Sequence, residues 1–338
     1  MSILAKPYFN NEKAAFLHLE KLLWKDGVVC PHCGSVDSAG RLEGVKGKAT
    51  QTKAPKVRLG LWKCYEGACR KQFTVRVGTV FEHCRIPLHK CLQAVHLIAS
   101  SKKGISSHQL HRILEVQYKS AWFLAHRIRE AMRDGKLAPM GGNGKVVEAD
   151  ETYIGRLQGQ RAKGGTATKN IVLTLVERGG SARSFHIDST SIADIAPILR
   201  ANLRKESGLM TDEARHYMEV GKEFASHDAV NHGEEQYVRY WNEVTDKKRN
   251  GKPVVETTVI TTNTVEGYYS IFKRGMKGIY QHCSEKHLHR YLAEFDFRYS
   301  NRIALGVDDQ NRAEKAIKGA TGKRLTYRGP DISRTGAA

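Results

Sequence analysis

Apolar residues recur with helical spacing in several stretches of the chain and crowd into short strand-like runs between them. Asn11 to Leu23 sets Ala14, Phe16, Leu17, Leu19, Leu22 and Leu23 along one stripe, which predicts a short amphipathic helix. From Pro87 to Gly135 the period is helical again. Leu88 to Ser100 carries Leu88, Leu92, Val95, Leu97 and Ile98. Ser106-Ser-His-Gln109 opens a second helix with a serine cap, and Ser120 to Met132 makes a third through Ala121, Leu124, Ile128 and Met132. Three helices so close together predict a helix-turn-helix arrangement. Beyond the glycine-rich break Ala138-Pro-Met-Gly-Gly-Asn-Gly144 the pattern changes. Strand candidates follow at Lys145 to Ala149, Asn170 to Val176 and Arg183 to Ile187, then a helix at Ser191 to Lys205 and a strand at Gly208 to Thr211. A late helix covers Leu288 to Tyr299. The order is that of an α/β domain.

Charge sharpens this picture. The 338 residues hold 55 Lys+Arg against 35 Asp+Glu, a net charge of +20, which argues against an ordinary metabolic enzyme. Residues 1 to 140 contribute 24 Lys+Arg and 10 Asp+Glu. The front of the molecule is thus the polyanion-facing part, and nucleic acid is the first partner to consider. The third helix of the helix-turn-helix region presents Lys119, His126, Arg127, Arg129 and Arg133, a row that can lie toward phosphate or be a solvated basic face. No run of about 18 apolar residues occurs and the start lacks a secretory pattern, so a cytoplasmic protein with no membrane partner is expected.

Seven cysteines include two close pairs, which in a reducing compartment favours metal over disulfide. Cys30-Pro-His-Cys33 is a tight turn aiming two thiols at one point, and Cys64-Tyr-Glu-Gly-Ala-Cys69 offers the second pair after a strand-like Lys56 to Trp62. Four thiolates close a tetrahedron around structural zinc. Phe73 to Val77 is the expected return strand of a zinc ribbon, and Gly40 to Pro55, poor in apolar residues, is expected to be a mobile basic loop.

A second constellation is acidic. Asp150 follows a Val-Val strand and Asp212 follows Leu209-Met210-Thr211. Two carboxylates at the ends of neighbouring strands suit magnesium or manganese, and strand-end aspartates are also common in turns. Further on, Thr262-Asn263-Thr-Val-Glu266 leads to Lys273-Arg274. Glu266 and Lys273 are seven residues apart, about two helical turns, and share a face with Asn263 nearby. Glu266 can complete a metal site with Lys273 on substrate phosphate, or Asn263 and Glu266 can form a capping box.

These stretches carry a resemblance. Cys30 to Val77, Leu110 to Met132, Val147-Glu-Ala-Asp150-Glu-Thr-Tyr-Ile-Gly155, Val230-Asn-His232, Thr262 to Gly275 and Ser284-Glu-Lys-His-Leu288 to Arg298-Tyr299 resemble bacterial insertion-sequence transposases of the ISXO-like group. Members join a zinc ribbon to a DDE-type, ribonuclease-H-like catalytic domain. The resemblance implies a mixed sheet flanked by helices, preceded by the ribbon and a helix-turn-helix region. It implies Asp150 and Asp212 as magnesium ligands, Asn263 or Glu266 as the third position, Lys273 on the phosphate side, and His232 near the site; Arg274 beside Lys273 is a further DNA-binding candidate. Implied too are element ends and target DNA as partners, a homodimer or larger assembly on DNA, and a nucleoid-associated location. The expected chemistry is phosphodiester hydrolysis at element ends followed by strand transfer. A DNA-binding regulator with an inactive α/β domain and a hydrolysis-only nuclease are the rival functions.

The expected division is 1–84 for the ribbon with its first helix, 85–137 for the helical region, 145–305 for the catalytic-type domain and 306–338 for a basic, flexible tail. Lys163 to Lys169 reads as a hairpin loop able to touch phosphate, and Tyr240 to Val255 as an extra basic loop.

Overall fold

A computed structural model describes residues 2–47, 54–135, 137–157, 159, 165–212, 214–230, 238–249 and 252–326, with backbone alone for 215 and 241–258. His232 and Lys163 lie outside the described residues. The chain divides into two compact units, Met1–Asp134 with Asp308–Ala338, and Gly135–Val307.

The first unit opens with α1 (Pro7–Asn10) and α2 (Glu12–Leu23). Asn11 caps α2 by accepting the Ala14 amide at 3.0 Å, the expected use of a short polar side chain at a helix start. A three-stranded antiparallel sheet follows: β1 (Ala39–Leu42), β2 (Leu61–Cys64) and β3 (Gln72–Phe73). Gly40 to Leu42 is therefore strand and not the beginning of a mobile loop, because Ala39 to Leu42 pairs residue by residue with β2. The expected return strand is shorter than its apolar run, since Val75 is buried in a turn. Glu20 of α2 ties helix to sheet: Trp62 donates its indole N–H to it at 3.0 Å and Arg41 pairs with its other oxygen.

Helices α3 (Leu88–Ser100), α4 (Ser107–Leu114) and α5 (Tyr118–Met132) form the helical region, α4 capped by Ser106 as its sequence predicts. The carboxylate of Glu12 caps α3 from α2, accepting the Leu88 and His89 amides at 2.8 and 3.1 Å. The expected tail is not uniform. Asp309–Lys318 is a helix, α10, capped by Asp308 and packed into this unit through Ala313, Ala316 and Ile317. Those three positions at i, i+3 and i+4 are an apolar stripe, which the high charge of the segment obscures.

The second unit is a five-stranded mixed sheet. Its strands are β4 (Val146–Ile154), β5 (Asn170–Glu177), β6 (Ala182–Ile187), β7 (Gly208–Asp212) and β8 (Ser226–Val230), in the order β6-β5-β4-β7-β8. β4, β5 and β6 are antiparallel neighbours, while β7 lies parallel to β4 and β8 to β7. Helix α6 (Ile192–Asn202) and the short α7 (Arg215–Val220) cover one face, where Val147, Ala149, Leu173 and Leu209 meet Ile195, Leu199 and Tyr217. Helices α8 (Asn263–Gly275) and α9 (Glu285–Ser300) cover the other, where Val172, Val176 and Ile154 meet Val265, Phe272, Leu288 and Phe295. Each fully buried side chain of this size contributes about 2 kcal/mol, so both layers are firmly held. This is a ribonuclease-H-like mixed sheet flanked by helices.

Two features depart from the sequence reading. β4 continues to Ile154 because β5 pairs with it along its length, from Val147 opposite Glu177 to Ile154 opposite Asn170. Asp150 is thus in mid-strand. The segment read as an extra loop at Tyr240 to Val255 is an antiparallel hairpin of β9 (Arg239–Arg249) and β10 (Lys252–Ile260).

Candidate active site and zinc centre

The four cysteines of the two pairs converge. Their sulfurs all lie within 4.8 Å of one another, with Cys30 to Cys69 at 3.8 Å and Cys33 to Cys64 at 3.7 Å. A tetrahedron with zinc–sulfur bonds of about 2.3 Å has edges of about 3.8 Å, which those two separations match, so this donor set suits zinc. The Ser35 hydroxyl, 3.2 Å from Cys33 Sγ, lowers that thiol to about 6 by hydrogen bonding. The thiolate that metal requires is thereby favoured. With four protein ligands the centre is closed and structural.

The acidic residues are positioned by strand alternation. Val146, Val147 and Glu148 of β4 pair with Gly208, Leu209 and Met210 of β7 in parallel. Two residues further along these strands stand Asp150 and Asp212. Val147, Ala149 and Leu209 face α6, whereas Val146 and Met210 pack together on the opposite side. With a period of two, Asp150 and Asp212 share that second side, the α8 side. Glu266 stands in the first turn of α8, exposed, with the Thr262 hydroxyl 3.1 Å from its Oε1.

Asp150 is raised to about 7, first by burial, then by the charge of Glu151, with Asp212 and Glu266 adding to it. A hydrogen bond from the Glu151 amide opposes the rise. Burial and neighbouring carboxylate charge thus meet at Asp150, on the face of the sheet that Asp212 shares. A hard divalent cation relieves such repulsion and is held by such oxygens, so the donor chemistry fits magnesium or manganese. Among the described residues, the four thiols lie close enough together to hold a metal, and the carboxylates as placed do not form such a group.

The capping-box alternative is not how α8 begins. Its first backbone donors go elsewhere: Asn263 N–H to Thr261 Oγ1 at 3.1 Å, and Thr264 and Val265 N–H to Glu148 Oε2 at 2.7 and 3.0 Å. Asn263 is exposed at the first helical position. On the same face as Glu266, Tyr269 donates its hydroxyl to the carbonyls of Asp150 and Val172, and the Lys273 ammonium lies 5.8 Å from the Tyr269 ring centroid. Lys273, Arg274 and Lys277 line an open cleft of about 510 Å³ with Ser270 and Gly278.

Sequence reasoning missed Glu148, Arg178 and Tyr269. Glu148 was hidden as one charge inside a Val-rich strand, and nothing local marks a buried carboxylate that serves a helix over a hundred residues away. It also passed over Glu151, which faces the other side of the sheet, accepts the Tyr217 hydroxyl at 2.7 Å and raises His216 through a 3.0 Å contact.

The basic row on α5 needs correction. Arg127 and Arg129 are 7% and 1% exposed, and Arg127 donates to the carbonyls of Val80 and Glu82 at 2.8 and 2.7 Å. His126 is buried as well. The helix turns that side inward because Leu124, Ala125 and Ile128 are core residues, and flanking positions follow them. Lys119 and Arg133 are exposed, Arg133 with Glu130 at 2.9 Å.

A thiol-closed ribbon and a ribonuclease-H-like sheet with acidic central strands are the parts of a zinc-ribbon transposase. Comparison with known proteins agrees: an ISXO2-like transposase domain matches residues 141–300 and a transposase zinc-ribbon domain matches residues 10–72. The chain thus carries an ISXO2-like transposase domain and a transposase zinc ribbon. It is also similar to a protein of Halobacterium salinarum described as an uncharacterized protein in transposable element ISH50, at 26% identity over 314 residues, covering 87% of this chain and 92% of that protein.

Proposed function

We propose that the protein is the DNA transposase of an insertion sequence, a polynucleotidyl transferase that cuts element ends and joins them to target DNA. The observation that carries this reading is the delivery of Asp150 and Asp212 to one face of the sheet by adjacent parallel strands, with the charge of Glu266 reaching Asp150 from α8. Asp150, Asp212 and Glu266 would hold the divalent ions; Glu266 is preferred to Asn263 because a carboxylate offers a hard cation an anionic oxygen. Bound magnesium or manganese supplies Lewis-acid stabilisation of the entering and leaving oxygens. Tyr269 fixes the strand under Asp150, and Lys273 and Arg274 orient the phosphate backbone at the cleft they line. Water is the nucleophile for cutting, and the freed 3′-hydroxyl is the nucleophile for joining. Neither step calls for a covalent protein intermediate.

In this reading residues 1–84 and 85–137 recognise DNA, with the exposed Lys119 and Arg133 as phosphate contacts, and 145–305 carries the chemistry. Two ends cut in one event call for a homodimer or larger assembly on DNA. The protein would work in the cytoplasm on the nucleoid; among the described residues no helix is long and apolar enough to cross a membrane.

The test is a labelled oligonucleotide bearing the element's own end, incubated with protein and magnesium beside a target plasmid. Nicking at the end and covalent transfer to the plasmid are expected, and Asp150→Ala should bind the end without cutting it. Cutting without joining would leave a hydrolytic nuclease, binding without either a regulator, and cutting by Asp150→Ala would reject the site.

A further inference from the structure

The most deeply buried carboxylate of the sheet is not one of the three at the proposed metal site. Glu148 is 0% exposed, two residues before Asp150 on the same face of β4. A buried carboxylate costs several kcal/mol unless its oxygens are fully engaged. Here the donors are Arg178 Nε at 2.7 Å, Thr264 Oγ1 at 2.7 Å, and the amides of Thr264 and Val265 at 2.7 and 3.0 Å. The same guanidinium donates to the carbonyls of Val259 and Thr261 at 2.6 and 2.9 Å, on the segment that enters α8.

Capping alone does not explain this arrangement, because a short polar side chain at the N-cap would suffice. The N-cap residue, Thr262, turns its hydroxyl to Glu266 instead. The cap is supplied across space, from the strand that carries Asp150, to the amides immediately before Glu266. Two residues of strand span about 7 Å with little freedom, so the link from Asp150 through Glu148 to α8 is short and stiff.

We propose that Glu148, held by Arg178, is the positioning residue that sets Glu266 against Asp150, so that the divalent-ion site is preformed. The inference rests on the reading of Asp150, Asp212 and Glu266 as the metal ligands. Glu148 touches neither metal nor substrate. It acts by fixing where α8 starts, and its negative charge at that helix N-terminus is favourable in itself.

The experiment uses the full zinc-loaded chain and Glu148→Gln, which keeps volume but turns an amide N–H₂ toward donors. Arg178→Lys is the second variant; it keeps charge and loses the planar fork that grips two carbonyls. Zinc content, end binding, direct Mn²⁺ binding by electron paramagnetic resonance, and the magnesium dependence of cutting are measured, with amide exchange at Thr264 and Val265. Expected for Glu148→Gln are unchanged zinc, end binding within twofold, faster exchange at those two amides, and at least a tenfold weaker Mn²⁺ affinity. The magnesium needed for half-maximal cutting should rise by the same factor, and much of the rate should return at saturating ion. Arg178→Lys should shift both in the same direction by less. Mn²⁺ affinity within twofold of wild type in folded Glu148→Gln overturns the proposal; if that variant does not fold, wild-type affinity in Arg178→Lys does so. Asp150→Ala separates the two levels: if it still binds Mn²⁺ the metal-site reading itself fails, and if it alone loses Mn²⁺ only the role of Glu148 fails.

Discussion

Replacing Asp150 by Asn should stabilise the magnesium-free protein while destroying its response to the ion. The Asp150 carboxyl is held at about 7 against an ordinary 3.8, mainly by burial and then by neighbouring carboxylates. At about 1.4 kcal/mol per pH unit, the ionised form carries a penalty of about 4 kcal/mol. Below pH 3.8 folded and unfolded chains both keep the proton and no penalty exists. As pH rises toward 7 the unfolded chain releases its proton first, so stability falls; above 7 the loss is complete. Asn cannot titrate, yet its Oδ1 can still accept the Glu151 amide, now at 2.8 Å from Asp150 Oδ1.

Variant and wild type should therefore differ little in pH dependence at pH 4 and diverge by up to about 4 kcal/mol at pH 8. Water reaching the partly exposed side chain reduces this to about 2 kcal/mol, a rise in Tm of about 4 to 8 °C for a unit of this size. Thermal unfolding in magnesium-free buffer measures it. Adding magnesium at a hundred times its dissociation constant should raise wild-type stability by about 2.7 kcal/mol and leave Asp150→Asn nearly unmoved. A gap that stays flat from pH 4 to 8, or equal stabilisation of both proteins by magnesium, would refute the shared-carboxylate reasoning.

Other expectations follow from the same geometry. Asp296, half-buried and raised to about 6 by desolvation, accepts hydrogen bonds from Tyr268 at 2.6 Å and from Ser184. It should cost stability as pH climbs from 3.8 to 6, by about 3 kcal/mol, and Asp296→Asn should flatten that part of the curve; parallel curves would contradict it. Tyr269→Phe removes the donor to the Asp150 and Val172 carbonyls, costing about 1 to 3 kcal/mol. Cutting should slow about tenfold with end binding intact, and an unchanged rate would show the strand needs no such support. Cys30→Ser opens the zinc tetrahedron, so zinc content should drop well below one per chain and the first unit should lose thermal stability; full zinc retention would remove Cys30 from the ligand set.

Periodicity alone was enough for the apolar layers. Leu88, Leu92 and Val95 on α3, and Ile195 and Leu199 on α6, are buried on the predicted stripes, because a helix or strand must hide its apolar side whatever surrounds it. The two cysteine pairs were legible too, since few side chains other than paired thiols repeat at that spacing for any reason but metal. What a local pattern cannot hold is the choice of which charge goes inside. Arg127 and Arg129 carry the same charge as Arg133, yet only the first two are buried, a matter of helix rotation decided by the core. Likewise Glu148, Asp150 and Glu151 are near neighbours in sequence with three different surroundings: a helix N-terminus, the proposed metal site, and a tyrosine and histidine across the sheet. Pairing along β5 and β7 assigned those faces, because hydrogen-bonded register between strands is a property of residues far apart in the chain.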